Sequence, residues 1–203
     1  MPPTAATSKN APGTDTIEDR ILDAALVQFG RVGVKKTTIE DVARQAEVDR
    51  VTVYRRIGSR DELVRAVTAR EVRRLLEDLE SIPSRHETFA DTVAAVFSTV
   101  VTRWRTHPLV ERLMTLEPER LLPQFTTDGA APFVLAVVSA TDLLRKVLTD
   151  DALPEPPDLS ARTEVVCRIV HSLILQPTGG IDLDSEAALT AFAKTYLVPI
   201  LIP

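Results

Sequence analysis

The chain has 203 residues, 44% of them hydrophobic but only 4% aromatic, and a net charge of −5. That is enough apolar material for a sizeable aliphatic core, while the single cysteine, Cys167, excludes an intrachain disulfide framework and points to a reducing cytoplasm. No apolar run approaches the roughly 18 residues of a membrane span. Residues 1–16, MPPTAATSKNAPGTDT, lack the apolar stretch of a signal peptide, so the expectation is a polar, disordered tail on a cytoplasmic protein with no membrane partner.

Apolar residues recur at helical spacing almost throughout, and strict alternation is rare, which predicts an all-α fold. A first helix over 17–32 carries Ile21, Ala25 and Phe29 at i, i+4, i+8 and runs into Gly30 and Gly33. Thr38, with Asp41 three residues on, starts a second, whose stripe is Ile39, Val42, Ala43 and Ala46. Asp49 is a good N-cap for a third. Ser59 and Glu62 form an S-x-x-E capping box for a fourth, running to about Leu79 before Pro83.

Beyond Pro83 a helix over about 87–105 carries Phe89, Val93, Phe97, Val100 and Trp104 on one stripe. Two short helices are expected around 109–116 and 119–125. A longer one over about 132–149 is apolar nearly all round in its first half, the pattern of a helix buried on every side. After the connection LPEPPD at 153–158, a helix runs from Ser160 to Gln176 and a last one over about 184–198.

Charge is unevenly spread. Between Arg31 and Arg74 there are 12 Lys and Arg against 7 Asp and Glu, so an acidic molecule carries a basic segment. Within it, two short helices separated by a tight turn make a helix-turn-helix. In such a motif the second helix enters the DNA major groove. Arg50 and Thr52 stand in its first turn, where Arg can bridge guanine O6 and N7 and Thr can meet a thymine methyl. Tyr54, Arg55, Arg56 and Arg60 offer donors to phosphates, as does Lys36 ahead of the motif. Thr38 starts the second helix, where free N–H groups favour a phosphate. Val48, Val53 and Ile57 can hold the two helices together. On spacing alone, an ordinary surface hairpin with solvated arginines fits equally well.

The stretch TTIEDVARQAEVDRVTVYRRIGSRDELV, 37–64, resembles the DNA-binding signature of the TetR (tetracycline-repressor) family of transcriptional regulators, with Thr-Thr-Ile, Ala43, Thr52-x-Tyr54 and Ser59-Arg60-x-x-Leu63 in register. The resemblance spans roughly residues 17–65. It implies a three-helix helix-turn-helix domain over 17–62, a helix at about 59–79 connecting it, and a ligand-binding and dimerisation domain over 63–203. It places Thr38, Arg50, Thr52, Tyr54, Arg55, Arg56 and Arg60 where family members contact DNA. It also implies a homodimer on a palindromic operator and repression relieved by a small-molecule effector.

Three positions depart from the pattern. Glu47 stands where the turn usually holds Gly and would carry strain of order 1 kcal/mol at positive φ. Ile57 replaces an aromatic. Val51 replaces Gly or Pro and can touch bases.

For the C-terminal domain the expected pocket residues are Phe97, Trp104, Met114, Phe125, Phe133 and Val137, with His107, Arg105 and Thr141 as polar candidates; simple core packing is the competing reading. The last two helices look like a dimerisation pair, one presenting Val166, Ile169, Val170 and Leu173, the other Leu189, Phe192, Ala193, Tyr196 and Leu197. Intrachain burial of both helices is the alternative. No two of His86, His107 and His171 have metal-ligand spacing and no Gly-rich phosphate loop occurs, so neither a metal, a cofactor nor an enzyme is expected. A helical adaptor is the other alternative.

Overall fold

Four polar side chains set the helix starts of the N-terminal region. Thr16, Thr38, Asp49 and Ser59 each have extended backbone and accept the N–H three residues on; at Thr16, Thr38 and Ser59 the acidic residue there bonds back to complete a capping box. The resulting helices are α1 (Ile17–Val32), α2 (Ile39–Gln45), α3 (Arg50–Arg56) and α4 (Arg60–Glu80). Gly33, at φ 88°, ends α1. The computed structural model describes residues 16–119, 123, 126 and 130–202. The expected tail, apart from Thr16, lies outside these residues, as do Phe125 and most of the expected helix over 119–125.

The body contains α5 (Phe89–Thr106), α6 (Pro108–Leu116), α7 (Ala130–Asp150), α8 (Leu159–Leu175) and α9 (Glu186–Phe192). The last continues through a π turn, Ala193–Leu197, into α10 (Val198–Leu201). Pro199 has no N–H to donate, and the ladder widens one turn ahead of it: the Val198 N–H reaches back five residues to the Ala193 carbonyl. The described residues form helices, turns and connections, with no strand among them.

Two apolar clusters divide the molecule. The reader core joins Ile21, Ala25 and Phe29 of α1, Ile39, Val42 and Ala43 of α2, Val53 of α3, and Leu63 and Val67 of α4. It therefore continues past residue 62. It also takes in Leu109 of α6, with Leu113 packed against it. The body core joins Phe89, Val93, Phe97 and Val101 of α5, Leu144, Val147 and Leu148 of α7, Leu159 of α8, and Leu189, Phe192, Ala193, Leu197 and Leu201 of the last helix.

Two expectations are corrected. The first half of α7 is not buried on every side: Val134, Leu135 and Val138 are 59, 54 and 51% exposed in the protomer. Conversely, Leu189, Phe192, Ala193 and Leu197 face inward, with the Phe192 ring stacked 5.5 Å from that of Phe97. These residues pack into the protomer's own core and leave Tyr196 as the exposed member of that stripe, the intrachain burial that was the alternative.

Candidate nucleic-acid interface

On α3 one face is apolar and buried, and the other is polar and exposed. Val53 is 0% exposed and Val48 and Ile57 pack partly into the same core, whereas Val51 is 71% and Tyr54 43% exposed. Arg50, Arg55 and Arg56 are exposed too, Arg56 lying 3.9 Å from Glu18. A short helix anchored by one buried valine thus projects a row of cations, a hydroxyl and an apolar tip away from its domain.

The first turn of α3 is held by its cap. Asp49 accepts from the Thr52 N–H at 2.7 Å and from the Thr52 hydroxyl at 2.9 Å. These bonds, the backbone one foremost, hold the Asp49 carboxyl below its ordinary pKa. The Thr52 hydroxyl proton is thereby committed, and what Thr52 offers a partner is its methyl group and the lone pairs of its oxygen. Four residues apart on the same face, Arg50 Nη2 donates to the Tyr54 hydroxyl at 3.3 Å, with the guanidinium 5.3 Å from the ring centroid.

Two expected phosphate contacts turn out to be engaged within the fold. Arg60 is half-buried and its guanidinium donates to the Val34 carbonyl, fixing the loop between α1 and α2. The Thr38 hydroxyl donates to Asp41 Oδ2 at 2.6 Å inside the capping box, so it is not a free donor. Lys36 is exposed on that same loop.

The turn between α2 and α3 has the anticipated strain: Glu47 adopts φ 55°. Arg20 of α1 braces it, donating to the Ala46 carbonyl at 2.5 Å and approaching the Glu47 carbonyl at 3.4 Å. Arg20 had no visible role in the sequence, because its partners lie 26 residues away.

Residues joining reader and body were likewise hidden. Arg70 of α4, 5% exposed, donates to the Asp19 carbonyl at 3.1 Å and pairs with Asp23 at 2.7 Å, both on α1. The next residue, Glu71, meets His107 Nε2 at 3.2 Å. From α6, Arg112 donates to the Gly30 and Arg31 carbonyls at 2.6 and 3.0 Å. The buried Glu117 accepts the Lys35 N–H at 2.8 Å. The reader therefore meets the body at two places, along α4 and at the C-terminal end of α1.

The expected pocket residues are divided. Phe97 belongs to the body core. Val137 and Thr141 face inward one turn apart on α7, the Thr141 hydroxyl donating to the Val137 carbonyl at 2.7 Å. His107 sits at the junction with α4, and Arg105, half-buried, donates to the Leu183 carbonyl at 2.6 Å. Phe133 lies 5.8 Å from the His171 ring and under the Arg168 guanidinium. Trp104 is half-buried and Met114 exposed. No helix is long and apolar enough to cross a membrane among the described residues.

A basic, exposed second helix on a three-helix unit is the architecture of a helix-turn-helix DNA-binding protein. Comparison with known proteins makes the class specific. Residues 21–67 match the model for bacterial regulatory proteins of the tetR family. An uncharacterised HTH-type transcriptional regulator of Mycobacterium tuberculosis is 27% identical over 190 residues, which cover 94% of this chain and 88% of that protein. The HTH-type transcriptional regulator AlkX of the same organism is 25% identical over 185 residues, covering 89% and 86%. The crystal structure of the TetR-family repressor AlkX from Dietzia sp., implicated in biodegradation of n-alkanes, superposes with a TM-score of 0.64 at 18% identity, covering 93% of this chain and 97% of that one. Residues 21–67 thus carry the DNA-binding region of tetR-family regulatory proteins, and over most of its length the chain is similar to HTH-type transcriptional regulators and has the fold of a TetR-family repressor.

Proposed function

We propose that this regulator is a repressor that binds a palindromic operator as a homodimer and is released by an apolar small molecule. The observation that carries the reading is the division of α3 between the buried Val53 and the exposed Arg50, Val51 and Tyr54. Arg50, Val51 and the Thr52 methyl then meet base edges, and Tyr54, Arg55, Arg56 and Lys36 meet phosphates. A dimer presents two such helices roughly 34–36 Å apart, or a multiple of that spacing.

The dimer face in this reading is α7 with α8. Val134, Leu135 and Val138 are exposed on α7 and Val165 on α8, with Val166, Ile169, Val170 and Leu173 only partly covered. An apolar face of this kind calls for a partner, and a two-fold axis lets it cover itself.

An effector in the body would shift α4 through the Glu71–His107 contact and the end of α1 through Arg112 and Glu117. A preference for the DNA-free setting worth about 1–3 kcal/mol would suffice for release. The aliphatic body suits an apolar ligand, and the alkane connection of the Dietzia repressor supports the same class.

Two measurements test the reading. Affinity for a double-stranded DNA site selected in vitro should fall steeply with salt, because phosphate contacts release counterions; a flat dependence contradicts it. Calorimetric titration of candidate apolar effectors, with and without that DNA, should give affinities differing by the factor by which the effector weakens DNA binding. Equal affinities would mean that body and reader are uncoupled.

A further inference from the structure

We infer that Tyr54 is a positioning residue for base recognition: its ring holds the Arg50 guanidinium in the plane from which it reads a guanine, although the ring itself touches no base. The inference rests on the reading that α3 enters the major groove. Both side chains are exposed on one face of α3, joined by the 3.3 Å hydrogen bond and the stacked approach at 5.3 Å.

An unsupported arginine at a helix surface samples many rotamers and must surrender that freedom on binding. A guanidinium already lying on an aromatic ring has less to lose. Stacking also leaves the edge of the fork open. Of its five N–H donors, one is engaged by Tyr54, and the rest suffice for a bidentate contact with O6 and N7. The Tyr54 hydroxyl accepts from Arg50 and keeps its own proton, so the same residue can donate to a phosphate. Ring and hydroxyl thus have separable tasks: the ring serves base choice, the hydroxyl serves affinity for every sequence.

The test is in vitro site selection with the full chain, followed by affinity measurement on the selected site and on its single-base variants. The proteins are wild type, Arg50→Ala, Tyr54→Phe, Tyr54→Leu and the Arg50→Ala/Tyr54→Leu double variant. Tyr54 is exposed on the surface of α3, and unchanged thermal melting checks that each variant is folded. Arg50→Ala is expected to lose a guanine preference of about tenfold or more at one position. Tyr54→Leu should lose most of the same preference at the same position, and the double variant should lose no more than Arg50→Ala does. Tyr54→Phe should keep the preference while weakening all sites by a similar factor.

Tyr54→Leu with the wild-type preference overturns the inference. So does a double variant whose loss of guanine preference is the sum of the single ones, or a Tyr54→Phe variant that loses the preference as fully as Tyr54→Leu. If wild type selects no site, the DNA-binding reading falls and this inference with it, a result distinct from any difference among the variants.

Discussion

Reader and body are built by the same rules and finish differently. The reader closes its core around Phe29, Val42 and Val53 and exposes a polar, cationic α3. The body closes its core around Phe97, Leu148 and Leu197 but leaves Val134, Leu135 and Val138 of α7 uncovered. Each region shows by its exposed face what it can meet. Cations suit a polyanion, and an apolar strip suits another apolar strip. The division is also incomplete, since Leu109 of α6 belongs by sequence to the body and by packing to the reader.

Substitutions can break or sharpen this contrast. The largest effect is expected from Phe29→Ala, which removes a fully buried ring from the reader and should cost about 3–5 kcal/mol in a denaturant titration. Because α6 shares that cluster, the loss should appear in the cooperative unfolding of the whole chain and not in a separate early transition. Next comes a pair of glutamates. Phe192→Glu buries a charge in the body core and should prevent folding, read as lost helical circular dichroism. Val138→Glu should leave the protomer folded and halve the mass seen by light scattering. If both variants behaved alike, the assignment of one residue to the core and the other to an interface would be wrong.

Smaller effects probe the seam and the caps. Arg112→Ala deprives the Gly30 and Arg31 carbonyls of their donor and should cost about 1–3 kcal/mol. Glu47→Gly relieves the positive φ and should raise stability by up to about 1 kcal/mol in the same assay. The shallowest effect is on acidification. Hydrogen bonds to Thr16, Thr38, Thr52 and Ser59 hold the carboxyls of Asp19, Asp41, Asp49 and Glu62 below their ordinary pKa values. Their contribution is complete above the unfolded-state pKa of about 4 and fades as pH falls through the lowered values. In the body the carboxyls of Asp91 and Asp158 are lowered as well, by Lys194 and Arg162, so a melting series from pH 6 to pH 3 should show one cooperative transition that moves to lower temperature with acid, with no separate early step.

What the sequence disclosed follows from the range of the forces involved. Thr38 with Asp41, and Ser59 with Glu62, act across three residues, so the helix starts and the helix-turn-helix were legible. So was the strain at Glu47, because a departure at a turn position is local. Arg20, Arg112 and Glu117 act across 26 or 82 residues and leave no periodic trace. The contacts that Arg60 makes with the Val34 carbonyl and Thr38 with Asp41 differ in range: the first, across 26 residues, left no trace in the sequence, while the second belongs to the capping box. Apolar periodicity in α7 and in the last helix was visible, but periodicity cannot tell a core from a face awaiting a partner. In the protomer α7 leaves Val134, Leu135 and Val138 exposed, and the last helix buries Leu189, Phe192, Ala193 and Leu197.

The brace from Arg20 to the turn at Ala46 and Glu47 also bears on how the reader forms. The two helices of the motif are seven residues each, far shorter than a helix that persists alone in water. Their turn contains a left-handed residue that local sequence disfavours. A nucleus made of α2 and α3 alone is therefore poor, and α1 must dock before the turn is worth making. Folding should accordingly be limited by the encounter of α1 with the pair, and Arg20→Ala should slow refolding more than it speeds unfolding. An excised peptide spanning 38–57 should show little helix, since the part that reads DNA holds its shape only in the company of the part that does not.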